Sequence, residues 1–217
     1  MIHIPRLPWN SFFMLQAHLT ATRSTCDRGP ELLFDPGRHG VGCVLERDHR
    51  VIAGGYNGSP PGHVHCDEIR CVSRRDGFEA ATGYGCPDDR AGCGWKKDGP
   101  VLIDGVLPTM RCPQCSGEVE GGHLMVEGHC RRTIHSEANA LLQCALDGTS
   151  PEGATLYTTA SPCHDCAKLI IRAKISQVIW GSAYQSRYGL SDDVQKMLTR
   201  AGVKSGCLCL RREELEQ

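Results

Sequence analysis

His135-Ser136-Glu137, followed downstream by Pro162-Cys163-His164-Asp165-Cys166, is the pattern on which this chain turns. It supplies one imidazole, two thiols and a carboxylate that need not bind metal. Three protein ligands plus water make a catalytic zinc site, whereas a closed structural site takes four. Two thiolates cancel the charge of the dication, and neutral His135 adds a third donor without overcharging the site. Cys163 and Cys166 are three apart, so a helix starting near Cys163 carries both sulfurs on one face. The positive end of that helix favours the thiolate, as the metal does.

Magnitudes divide the labour. Zinc lowers the pKa of bound water from about 15.7 to about 7, roughly 12 kcal/mol in proton affinity. A general base contributes about 10²–10⁴-fold, or roughly 3–5 kcal/mol. The metal therefore makes the nucleophile and Glu137 moves protons. H-x-E followed by P-C-x-x-C is the signature of zinc nucleobase deaminases. On that pattern Glu137 takes a proton from water, passes it to N3 of a cytosine and later protonates the departing amine. The bland reading is a metal-free Cys-x-x-Cys in a core, beside a helix that merely begins at these residues. Four residue types in this order and spacing speak against it.

The 217 residues suit one domain with an elaboration, or two small domains. A 40% hydrophobic content suffices for a packed core. No stretch approaches the roughly 20 apolar residues of a membrane helix. Met1 to Trp9 lacks the apolar run and cleavage site of a secretory signal. The net charge of −1 encodes no general attraction to polyanions. Fourteen cysteines in such a chain point to metal rather than disulfides, and the protein reads as cytoplasmic with reduced thiols.

Pro8 to Thr22 reads as a helix with Trp9, Phe12, Phe13, Gln16 and Leu19 near one face. Gly40–Glu46 and Arg50–Gly55 read as hairpin strands turning at Asp48-His49. The Gly- and Pro-rich run from Gly54 to Gly62 must end the second strand in an ordered loop. Beyond His135, helices over Ser136–Asp147 and Pro162–Ala173 alternate with strands over Ala154–Thr159 and Gln177–Gly181. Ser191 caps a third helix that Gly202 ends, and Val203–Leu210 is a last strand. A hairpin followed by this alternation predicts a mixed sheet covered by helices, a three-layer α/β/α sandwich. Residues 72–123, Gly-rich and charged, break the rhythm and read as an insertion.

The chain resembles the deoxycytidylate deaminases of the zinc-dependent cytidine deaminase-like superfamily. The resemblance runs from Pro8 to about Cys71 and from Leu124 to about Val203. It is carried by Arg23-Ser24-Thr25-Cys26, Gly55-Tyr56-Asn57-Gly58-Ser59-Pro60, His65-Cys66, the run Gly128 to Glu137 and the run Leu156 to Cys163. It implies hydrolysis of dCMP to dUMP, with His135, Cys163 and Cys166 on the catalytic zinc and Glu137 shuttling protons. It also implies Asn57 on the deoxyribose, Ser24 and Arg28 near the 5′-phosphate, and Tyr184 near the nucleotide. Homohexamers regulated by dCTP and dTTP are common in the family, and a triphosphate effector would bring Mg. Ser136 stands where many relatives have Ala, and is expected to touch neither the ligands nor the carboxylate's role.

The resemblance further implies a second zinc beside the active site. Its candidates are Cys26, Cys66, Cys71 and Cys130, with His65 and His129 as alternates. In the insertion, Cys112-Pro113-Gln114-Cys115 is a zinc-knuckle sequence that Cys86 and Cys93 would complete, giving a ribbon-like segment with a third zinc. That segment holds six basic and eight acidic residues, which argues against nucleic acid as a partner. Two other readings stay open at this point. One is a deaminase of another cytosine nucleotide or of a base in nucleic acid. The other is an inactive, zinc-stabilised nucleotide-binding module, which the intact Glu137 speaks against.

Overall fold

Side chains alternate along the strands of one sheet and so separate two hydrophobic interiors. The structure, a computed structural model, describes residues 6–63, 65–67, 69–72, 118–121, 125–126, 129–183 and 191–210. Helix α1 (Trp9–Ala21) precedes a small hairpin, β1 (Glu31–Leu32) and β2 (Asp35–His39), then β3 (Gly42–Arg47) and β4 (Arg50–Tyr56). Short strands β5 (Ile69–Val72), β6 (Glu118–Gly121), β7 (Met125–Val126) and β8 (His129–Cys130) follow. The chain continues through α2 (Ser136–Leu146), β9 (Thr155–Ala160), α3 (His164–Arg172), β10 (Gln177–Ser182), α4 (Ser191–Arg200) and β11 (Lys204–Cys207).

The main sheet has the order β11-β10-β9-β3-β4. β9, β10 and β11 are parallel, and β3 is antiparallel to both its neighbours. This is the mixed sheet the sequence predicts. Cys43 and Leu45 of β3, Leu156 of β9 and Val178 of β10 face a core completed by Ala140 and Cys144 of α2, Ala167 and Ile170 of α3, and Val194 and Leu198 of α4. Their neighbours Val44, Tyr157 and Ile179 face the opposite side, where Phe13, Met14 and Ala17 of α1 cover them. Helices on both faces complete the α/β/α sandwich. The β3–β4 hairpin turns at Asp48 and His49, whose φ values of 53° and 61° are those of a type I′ turn.

Helix α1 buries a different stripe from the one its largest side chains suggest. Phe13, Met14, Ala17, His18 and Ala21 are buried, while Trp9, Phe12 and Leu19 are exposed. The reason lies in Gly42. A Cβ there would fall 2.6 Å from the Ala17 carbonyl oxygen, so the helix axis sits close to β3 and only small residues fit between them.

His18 lies in this buried stripe, close to Gly181 of β10. Neither ring nitrogen has a hydrogen-bond partner among the described residues. Burial pushes its pKa from 6.5 down to about 4. The unfolded chain therefore binds more protons between those values, so stability is unaffected above pH 6.5 and falls as the pH drops toward 4. The expected loss at pH 5 is about 2 kcal/mol. Urea midpoints from pH 7.5 to 5 should show this decline in the wild type and a flatter profile for His18→Leu. Identical slopes would contradict the assignment.

The chain divides into two compact units, 1–57 with 135–217, and 58–134. In the second, β5 pairs antiparallel with β6 (Ile69 opposite Gly121, Val72 opposite Glu118), and β7 with β8. The stretch read as an insertion falls within this unit, and its residues 73–117 and 122–123 lie outside the described residues. Among the described residues no helix is long and apolar enough to cross a membrane.

Candidate active site

Two helix N-termini supply the site, both in the first unit. His135 is the N-cap residue of α2, with Glu137 in the first turn. Cys163 is the N-cap residue of α3, and its sulfur accepts the backbone N–H of Cys166 at 3.5 Å. The sequence-predicted helix thus begins one residue after the first cysteine, because Pro162 and extended Cys163 lie outside it. The positive ends of both helices favour negative charge here.

His135 Nδ1 stands 3.4 Å from Cys163 Sγ and 3.5 Å from Cys166 Sγ. The three donor atoms lie within 4.8 Å of one another. Tetrahedral zinc, with bonds of about 2.0–2.1 Å to nitrogen and about 2.3 Å to sulfur, would place nitrogen and sulfur about 3.6 Å apart. The donor set therefore fits zinc without rearrangement. A hydrogen bond from the Cys166 thiol, reinforced by His135 and the Cys166 backbone, pushes Cys163 down to about 4. The same shared hydrogen bond, burial and the nearby Glu137 push Cys166 well above the thiol range. A dication held here would favour the thiolate form of both sulfurs.

Glu137 is 3% exposed and lies against this cluster. Burial raises its pKa above 4.5; His135 opposes the shift and Cys163 adds to it. A buried carboxyl with a raised pKa beside three metal donors is suited to carry protons.

Residues 7–182 match the family model described as the cytidine and deoxycytidylate deaminase zinc-binding region. The chain belongs to this deaminase family. It is similar to ComE operon protein 2 of Bacillus subtilis, 33% identical over 198 residues that cover 91% of this chain and 70% of that protein. It is also similar to the deoxycytidylate deaminase of Enterobacteria phage T2, 33% identical over 172 residues, or 76% of this chain and 78% of the phage protein. Its fold matches that of a cyanophage S-TIM5 dCMP deaminase solved with dCMP and dUMP, with a TM-score of 0.54 at 21% identity and coverage of 94% of this chain and 100% of the other.

In this deaminase Asn57 serves the helix that carries Glu137 and has His135 as its N-cap residue. Its Oδ1 accepts the Ser136 backbone N–H at 2.8 Å, where His135 gives no side-chain cap. Asn139 Nδ2 donates to the Tyr56 carbonyl at 2.7 Å, so the end of β4 holds α2 at two points. Ser24 is buried, with its hydroxyl within reach of the Cys26 and Asn57 carbonyl oxygens at 2.8 and 3.1 Å. It ties the turn after α1 to the end of β4. Arg28, exposed, lines a cavity of about 490 Å³ with Asp27, His39, Ala160 and Ser182. Tyr184 lies outside the described residues.

Sequence reasoning set Ser136 apart from the carboxylate; the structure corrects this. Ser136 Oγ donates to Glu137 Oε2 at 3.0 Å. An Ala-like position between ligand and carboxylate gave no reason to expect it, yet a hydroxyl buried at a helix start needs a partner. In the second unit, Cys66 and Cys130 are buried, with their sulfurs 3.5 Å apart. That is too long for a disulfide at about 2.05 Å and close to the roughly 3.8 Å between two thiolates on one zinc. Cys26 is buried in the first unit and His65 is half-buried. The side chains of Cys71 and His129, and all of Cys86, Cys93, Cys112 and Cys115, lie outside the described residues.

Proposed function

We propose that the protein is a deoxycytidylate deaminase, converting dCMP and water to dUMP and ammonia. The observation that carries this is the buried Glu137 carboxyl beside a His135–Cys163–Cys166 cluster at zinc spacing. Zinc held by those three residues would supply Lewis acidity to activate water as the nucleophile at C4. Glu137 accepts the water proton and delivers it to ring N3, then carries the second proton to the amine, which leaves as ammonia. Charge is conserved, because each proton Glu137 accepts it also gives up.

Arg28 and the cavity it lines fit a 5′-phosphate, since a guanidinium pairs with phosphate oxygens through two parallel hydrogen bonds. The cavity reaches Ala160, at the end of the strand that leads into Pro162-Cys163. Ser24 holds the turn that leads to Arg28 through the Cys26 and Asn57 carbonyls, and Asn57 would meet the deoxyribose while it caps α2. Cys66 and Cys130 supply a pair of donors for a structural zinc, with Cys26 and Cys71 as further thiols; Cys86, Cys93, Cys112 and Cys115 belong to a third site in the insertion. The exposed Trp9, Phe12, Leu19 and Phe34 support a subunit contact in a homo-oligomer such as a hexamer. Regulation by dCTP and dTTP, with Mg accompanying the triphosphate, and a reducing cytoplasmic setting complete the reading.

Ammonia release from dCMP, dCTP, deoxycytidine and single-stranded DNA tests it on zinc-loaded protein. The expected order puts dCMP first in kcat/KM by at least about tenfold, the value of one well-placed charged contact. Faster turnover of the nucleoside or of DNA would remove the phosphate reading, and no ammonia from any substrate would favour a binding module.

A further inference from the structure

We propose that Ser136 is a positioning residue whose hydroxyl fixes the Glu137 carboxylate in the orientation proton transfer needs. This rests on the deaminase reading of the site above. Ser136 is 0% exposed, and its Oγ stands 3.0 Å from Glu137 Oε2. The serine has little freedom to move. Asn57 Oδ1 holds its backbone N–H at 2.8 Å, and Gly55 of β4 packs directly against its carbonyl oxygen. Cys43, also 0% exposed, is a further buried neighbour of the hydroxyl.

The chemistry follows from hydrogen-bond roles. A hydroxyl has one proton to donate, and here it goes to Oε2. Oε2 is an acceptor when Glu137 is ionised and remains one, as the carbonyl oxygen, when the other oxygen is protonated. The shuttled proton is thereby kept on Oε1 through both halves of the cycle. Without the hydroxyl the carboxyl group could rotate and present its proton away from the reacting atoms.

The test compares wild type, Ser136→Ala and Ser136→Thr for kcat, KM, zinc content and melting temperature, with crystal structures of the wild type and Ser136→Ala. Ser136→Ala is expected to lose about ten- to a hundredfold in kcat, the scale of a small misplacement of a reacting group, with KM within about twofold. Zinc content and melting temperature should match the wild type, and Ser136→Thr, which keeps the hydroxyl, should recover to within about threefold. Glu137 should occupy more than one rotamer in the Ser136→Ala crystal. A kcat within about twofold of wild type, or a fall that tracks zinc loss or a rise in KM, would overturn the inference. If the wild type releases no ammonia from dCMP, the proposed function fails on its own. The Glu137 rotamers still decide the serine's role, and a single ordered rotamer in Ser136→Ala refutes it.

Discussion

Glu137→Gln is expected to retain zinc and lose roughly 10³–10⁴-fold of its turnover on dCMP, the upper range for a general acid–base group. The loss should be large because this carboxyl handles both protons of the cycle and has no substitute beside it in the described site. His135, Cys163 and Cys166 would be engaged by the metal. Gln keeps the volume of the side chain and can still accept the Ser136 hydroxyl, so packing should survive. Removing a buried acid whose pKa burial has raised also removes a desolvation penalty, so the metal-free variant should melt no lower than wild type. Steady-state ammonia release, metal analysis and thermal melts of the two proteins check this. A variant with intact zinc and more than about a tenth of wild-type kcat would remove Glu137 from the mechanism.

Gly55→Ala should be the most damaging substitution that touches no reacting atom. A Cβ at Gly55 would overlap the Ser136 carbonyl oxygen and fall 2.6 Å from the Ala140 backbone nitrogen. Both belong to α2, so relief requires moving helix backbone away from β4, and His135 and Glu137 move with it. Overpacking against backbone is expected to cost about 3 kcal/mol or more, with zinc affinity and kcat falling together. Gly54→Ala is the control, since its Cβ would meet Cys43 O at an ordinary 3.6 Å. Urea denaturation of the pair should show a large shift for Gly55→Ala and less than about 1 kcal/mol for Gly54→Ala. Equal midpoints would mean that α2 is not seated as described.

Comparison of these elements with the sequence shows where local chemistry was enough. The meeting of His135, Cys163 and Cys166 was legible because ligand type and spacing constrain it more tightly than any fold does, and the hairpin because Asp48-His49 tolerate positive φ. The mixed sheet followed from helix–strand alternation. The face of α1 was not legible: its large aromatics suggest one stripe, but the close approach of Gly42 selects small residues on another. The roles of Asn57 and Ser136 were hidden for a related reason. Asn57 acts across the gap between β4 and α2 through the Ser136 backbone, whereas Ser136 meets its own chain neighbour Glu137 within α2, and neither contact has a periodic signal in sequence. The β1–β2 hairpin was missed because its strands are short and mostly exposed, with no alternation to mark them.

The central claim is that one imidazole and two thiolates grip a zinc ion next to Glu137. Anomalous diffraction at the zinc edge, from crystals of metal-replete and catalytically competent protein, tests it most directly. The account predicts a strong peak bonded to His135 Nδ1, Cys163 Sγ and Cys166 Sγ, with the Glu137 carboxylate beside the remaining coordination position. Active protein with no anomalous peak at these three residues, or with Glu137 itself as a fourth ligand closing the site, would contradict it.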